Sequence, residues 1–234
     1  MKRSQVNRII CDAKEFLAKH QFALPPWAFW TPADWKGRYD TCAEIVDCML
    51  GWDVTSFGGD EFERRGLTAF TLRNGLVPTV AHAGEYEGNY TKTYGEKILI
   101  VGEGQETPLH FHWSKMEDII NRGGGNLVIE FCGSRPGGEL SDSAVEISID
   151  GIRRSVEAHH PVVLTPGESV CIEPGVYHRF LGEPGSGTAL IGEVSSVNDD
   201  RSDNRWYEAQ GRFSRIEEDE PPVHLLVNDY AAYL

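Results

Sequence analysis

GQETPLHFHWSKMEDIINRGG, residues Gly104–Gly124, is the segment from which the architecture of this chain can be built. Side chains alternate along a β-strand, so His110 and His112 face one side while Phe111 faces the other. Two imidazoles on one face form a pincer. Glu117, five residues on, leaves room for the chain to turn and return a carboxylate oxygen to the same point. Gly104 and Gly124 frame the segment, as expected of tight turns at the ends of paired strands, where glycine takes positive φ at little cost. A fourth ligand must come from a distant part of the chain. His178 is the candidate, in the strand-like run GESVCIEPGVYHRF, Gly167–Phe180.

The chain has 234 residues, 40% of them hydrophobic, enough for one sizeable core. One unit is expected over 1–234, with an N-terminal helical extension over 1–52, a β-barrel over 53–197 and an extended C-terminal tail over 198–234, the helices and the tail packed outside the barrel. The formal charge of −14, with an acidic run at Glu217–Glu220, repels phosphate backbones and anionic head groups. Nucleic acid and membranes are therefore poor partners. The start, Met-Lys-Arg, leads into Ser-Gln-Val-Asn-Arg rather than an apolar signal core, and no apolar run is long enough to span a bilayer. The expected address is cytoplasmic. Five cysteines without a C-x-x-C pair point to neither a disulfide framework nor a cysteine zinc site.

Val6, Ile9, Ile10, Ala13, Phe16 and Leu17 recur at helical spacing over Ser4–Lys19, with Ser4 as the expected cap. Pro25 and Pro26 end that helix. Trp27, Phe29, Trp30 and Trp35 follow as an expected packing cluster. A second short helix is expected from Asp34 to about Trp52. Beyond it the texture turns to short β-type runs: Leu67–Leu72, Lys97–Val101, Asn126–Phe131, Val145–Ile149, Val162–Leu164, Ser169–Ile172 and Ala189–Val194. Asn74-Gly75 and Asp150-Gly151 are hairpin signals, and the spacing predicts an all-β sandwich or barrel. His20, His82, His159, His160 and His224 lack ligand-like spacing, and solvent exposure is their default.

The pattern Gly104-x5-His110-x-His112-x4-Glu117-x6-Gly124 resembles the first metal-binding motif of the cupin superfamily at every marked position. The second motif is matched by Gly167, Gly175 and His178. It departs at Pro174, one residue nearer the histidine than the pattern asks, and in lacking a following asparagine. The resemblance implies a jelly-roll barrel in which His110, His112, Glu117 and His178 converge on one ion. Three imidazoles and a carboxylate suit Mn²⁺, Fe²⁺, Co²⁺, Ni²⁺ or Zn²⁺, and the ligand set alone does not choose among them.

A wider resemblance is carried by Leu50-Gly51-Trp52-Asp53-Val54-Thr55, Arg73-Asn74-Gly75, Lys97, Thr107-Pro108-Leu109, both histidine motifs, Gly192–Asp200, Arg212-Phe213 and Glu217–Glu220. Across essentially the whole chain this resembles the D-lyxose isomerase family. The resemblance implies a manganese-dependent aldose–ketose isomerase converting D-lyxose to D-xylulose, with D-mannose to D-fructose as a second activity. A proton must leave C2 and one must reach C1 through a cis-enediol, and a metal with two adjacent free positions can hold both oxygens. Lys97 is placed in the active site by the resemblance. The carboxylate partner is Glu217 or Glu218, whose side chains alternate in an extended segment so that only one faces the barrel mouth. Glu193 is a third option. A monosaccharide substrate and a homodimer complete the expectation. The alternatives are an Fe²⁺-dependent cupin dioxygenase, which shares the ligand set, and a non-catalytic sugar-binding cupin. A transcription-factor cupin would need a helix-turn-helix and a basic surface, and neither is evident.

Overall fold

Apolar spacing in the N-terminal segment produces α1, Arg3–Lys19, which buries Val6, Ile10, Ala13 and Leu17 along one stripe. The computed structural model describes residues 1–76 and 90–234; His82 lies outside the described residues. After a 3₁₀ turn at Pro26–Phe29 come α2, Pro32–Trp35, and α3, Tyr39–Asp47. The single helix expected from Asp34 to about Trp52 is therefore two short ones. Gly37, at φ +72°, breaks it at one end, and Gly51 and Trp52 already belong to the first strand.

Fourteen strands follow among the described residues: β1 Gly51–Thr55, β2 Leu67–Arg73, β3 Tyr94–Val101, β4 Glu106–His112, β5 Glu117–Gly124, β6 Leu127–Ser134, β7 Leu140–Ser141, β8 Val145–Ile149, β9 Ile152–Val156, β10 Pro161–Leu164, β11 Ser169–Ile172, β12 Tyr177–Gly182, β13 Ala189–Ser196 and β14 Asn204–Trp206, with a final turn α4 at Tyr230–Tyr233. One sheet runs β1-β2-β3-β13-β5-β11-β8-β9 and the other β10-β6-β12-β4-β14, with β7 beside β6. Their pairings are antiparallel. Ala69, Leu99, Ile119 and Ile191 from the first sheet meet Leu127, Ile129, Phe131 and Phe180 from the second in one core. This is the expected all-β, cupin-type jelly roll.

Asp150-Gly151 forms the expected tight hairpin, both residues at positive φ between paired Ile149 and Ile152. Asn74-Gly75 does not. Instead the Asn74 side chain donates to Asn198 O at 2.9 Å and accepts from Asn198 N at 2.9 Å, pinning the chain beyond β13.

The outer face of β1–β3 is covered rather than solvated. Trp52, Val54, Phe70 and Ile98 pack under α1 with Leu190 and Leu226, so β1 and most of β2 are buried on both sides. Trp27 stacks against Phe70 at 4.9 Å and Trp35 against Tyr230 at 5.0 Å, which makes the tryptophan cluster packing, while Phe29 stays half exposed.

The C-terminal tail is clasped to α1. Arg3, buried, binds both Glu218 (2.7 Å) and Asp229 (2.9 Å). Ser4 is not a cap as expected; Asp219 accepts from its backbone N–H (2.9 Å) and its hydroxyl (2.7 Å), satisfying the first turn from outside the helix. His224 is also buried, between Lys14 Nζ (2.8 Å) and the Trp30 carbonyl (3.0 Å), contrary to the exposure expected of it. The tail was expected outside the barrel, yet β14 joins the second sheet beside β4 and Arg212 reaches the interior.

Candidate active site

His110 on β4 sits directly opposite His178 on β12, while Glu117 opens β5 across the barrel. A register shift between His178 and Phe180 bends β12 just past the imidazole. Ring nitrogens of His110, His112 and His178 lie within 4.8 Å of one another, and all three side chains are buried. Glu117 Oε1 approaches His178 Nε2 at 2.9 Å and His112 Nε2 at 3.4 Å.

The tautomers follow from the carbonyls behind the rings. Nδ1 of His110 faces Pro108 O at 2.8 Å and Nδ1 of His178 faces Val176 O at 3.0 Å. A carbonyl only accepts, so both Nδ1 atoms carry the proton and both Nε2 lone pairs point inward. His178 Nε2 is then an acceptor 2.9 Å from a carboxylate oxygen, with no hydrogen bond, deep in the protein. Two acceptors held that close need positive charge between them. Burial, with His178 and His112 beside it, pushes His110 well below the ordinary imidazole value, and burial with Lys115 lowers His112. The inward ring nitrogens of His110, His112 and His178 with the Glu117 carboxylate are the donor set that fits a borderline divalent metal.

Around this cage runs a chain of buried charges. Lys115, in the turn between β4 and β5, bridges Glu117 Oε2 (2.7 Å) and Glu193 Oε1 (2.9 Å). Burial opposes the charge on Glu117, yet the Lys115 ammonium, with His112 next, holds it well below the usual carboxylate range. Burial likewise opposes Glu193, and Lys115 and Lys97 lower it. Lys97 on β3 lies 3.5 Å from both Glu193 and Asp200, and Arg212 closes the row by binding Asp200 (3.0 Å) and Asp53 (2.6 Å). Lys97, Lys115, Glu193, Asp200 and Arg212 line one chamber with the four cage residues.

His110, His112, Glu117 and His178, which the motifs predict as ligands, therefore come together, and Lys97 lies beside them. Glu217 and Glu218 do not. Glu217 forms a parallel bridge with Lys2, Glu218 is spent on Arg3, and both are exposed on the outer clasp, so neither faces the barrel mouth. The carboxylates in the chamber are Glu193, the third option, and Asp200. Lys115 and Arg212 were not singled out for this site by sequence reasoning. Lys115 had a signal, a lysine enclosed within the histidine–glutamate motif itself; Arg212 had only its position in a stretch resembling the family.

The double-sheet barrel has a cupin-like fold shared with solved sugar isomerases: it superposes on L-ribose isomerase of Cellulomonas parahominis with a TM-score of 0.60 at 16% identity, over 93% of this chain and 98% of that one. The L-ribose isomerase of Acinetobacter sp. DL28 matches at 0.59 and 14% identity, with the same coverage. At such identities the likeness concerns the fold. The chain belongs to the D-lyxose isomerase family, whose profile matches residues 1–230. It is 47% identical to the D-lyxose/D-mannose isomerase of Serratia proteamaculans and 46% to that of Escherichia coli O157:H7, each over 100% of both chains. It is therefore an aldose–ketose isomerase, and the dioxygenase and non-catalytic readings fall away.

Proposed function

We propose that this chain is a divalent-metal-dependent isomerase interconverting D-lyxose with D-xylulose and D-mannose with D-fructose, by proton transfer through a cis-enediol. The relatives named for D-lyxose and D-mannose, similar over their full length, support the substrates. What carries the mechanism is the adjacency, inside one chamber, of the histidine–glutamate cage and a buried carboxylate, Glu193, held by two lysines.

His110, His112, Glu117 and His178 would hold the metal, with Mn²⁺ first and Co²⁺, Fe²⁺, Ni²⁺ or Zn²⁺ as substitutes. When bound it supplies positive charge that polarises the sugar carbonyl and stabilises negative charge on the oxygens of C1 and C2. Glu193 is ionised at rest, the state required to accept the C2 proton, and, after exchange with solvent on the carboxyl group, delivers a proton to C1. Lys97, within 3.5 Å of Glu193, donates hydrogen bonds to the sugar oxygens whose charge changes during the transfer. Lys115 neutralises Glu117 and Glu193 together, which lets two carboxylates share a water-poor chamber. A cytoplasmic address and a homodimer belong to the same reading. Among the described residues no helix is long and apolar enough to cross a membrane, and Phe29 and Tyr39 lie exposed in the N-terminal region, rings that a second copy would cover.

The test is turnover of D-lyxose and D-mannose in D₂O by the Mn²⁺-loaded protein. Deuterium at C1 of the ketose is expected. Absence of turnover on both sugars refutes the substrate assignment, and turnover without deuterium refutes the proton route.

A further inference from the structure

The chamber has two unlike ends. On β3 and β13, Lys97 is paired with Glu193, and on β2 the residue opposite Lys97 is Thr71. Leu67, which also lines the chamber, lies four residues along β2 from Thr71, about 13 Å away at strand rise. Beyond Thr55, the partner of Leu67, the chain turns and inserts Phe57 at that far end. One end is thus ionic and Phe57 and Leu67 stand at the other, while Leu99, Ile119, Phe180 and Trp206 complete an apolar wall along the sides, Ile119 opposite Glu193 and Trp206 opposite His110.

Within the wall Phe57 stands apart. Leu67, Leu99, Ile119, Phe180 and Trp206 sit on strands, and Trp206 is further fixed by stacking on His110 at 4.6 Å. Phe57 is on a loop, 3% exposed, with its ring edge against Trp206 at 5.4 Å. Its φ of +51° is a left-handed conformation that costs a phenylalanine free energy, and Thr55 Oγ1, accepting from its N–H at 3.0 Å, holds it there. No other chamber-lining residue among those described has this backbone. Phe57 and Leu67 together bound the chamber at this end.

We infer that Phe57 is a specificity-determining residue that sets how long a sugar the chamber accepts. The inference rests on the proposed isomerase reading. With C1 and C2 at the ionic end, the rest of the sugar extends along the chamber, because Asp53, Arg212, Asp200 and Lys97 close the near side with ion pairs. D-Mannose is D-lyxose lengthened by one carbon at the end remote from C1. The two sugars therefore present the same reacting atoms and differ only where Phe57 stands.

The experiment compares kcat/KM for D-mannose and D-lyxose in the Mn²⁺-loaded wild type and in Phe57→Ala, Phe57→Leu and Phe57→Trp. Phe57→Ala is expected to raise the mannose-to-lyxose ratio about tenfold, the scale of one extra carbon in an apolar pocket, and Phe57→Trp to lower it. Phe57→Leu should fall between them and serves in place of Phe57→Ala if that variant does not fold. Mn²⁺ affinity, read by calorimetry, should be unchanged, separating this role from a disturbance of His110 through Trp206. A parallel fall on both sugars, or an unchanged ratio in folded variants, overturns the inference. A wild type inactive on both overturns the isomerase reading and this inference with it.

Discussion

His178 and Lys97 divide the work of the chamber, and their variants should part accordingly. His178→Ala removes a ligand whose inward nitrogen already faces Glu117 at 2.9 Å, so elemental analysis should find most of the metal gone and activity with it. Lys97→Ala should keep its metal and lose turnover by about 10²-fold or more, the usual worth of a positioned acid–base group. A Lys97 variant near full rate removes that residue from the mechanism. Lys115 acts one step back. Its ammonium is the largest influence holding the Glu117 proton off, so Lys115→Met should raise the Glu117 pKa and shift the pH midpoint of metal uptake upward, measured by titrating binding against pH. Of these residues His110 and His112 were legible from alternation along a strand, and Glu117 and His178 from the spacing of the two motifs, whereas the carboxylate partner was not. Alternation shows that Glu217 and Glu218 face opposite ways, but it carries no information about which surface the segment crosses.

Among the elements, α1 and the tail form one unit whose stability is pH-dependent. Hydrogen bonds from Arg3 lower the Glu218 carboxyl below its ordinary range, and the Ser4 amide does the same for Asp219. A carboxyl with a lower pKa folded than unfolded stabilises the fold above the unfolded value, and that contribution is lost as pH falls through the folded one. The thermal midpoint should thus drop as pH goes below about 4, and Glu218→Gln should blunt the drop. A Glu218→Gln curve that parallels the wild type would show that the clasp does not couple to folding. The helix itself was readable from its apolar stripe. Its external cap was not, because Asp219 stands 215 positions away in the chain.

For the whole molecule, the cage joins β4, β5 and β12, which belong to both sheets, so a bound ion ties the two layers together. An ion that binds the folded state alone adds about 2.7 kcal/mol at a free concentration one hundred times its Kd. Chelation should therefore lower the thermal midpoint as well as abolish turnover, and added Mn²⁺ should restore both. An unchanged midpoint after demonstrated metal loss would mean that the ion does not brace the sheets.

Strand periodicity, turn dipeptides and the spacing of the histidine motifs were enough to establish an all-β barrel, its metal-type cage and, by resemblance, its family, because each is read from short motifs whose internal spacing is local even where the motifs themselves lie far apart. Tertiary structure alone decided that Glu193 rather than the acidic tail faces the histidines, that Lys115 joins Glu117 to Glu193, and that Arg212 and Trp206 turn inward. The physical reason is that a buried charge is tolerated only beside its counter-charge, and those partners are set by strand register between segments remote in sequence.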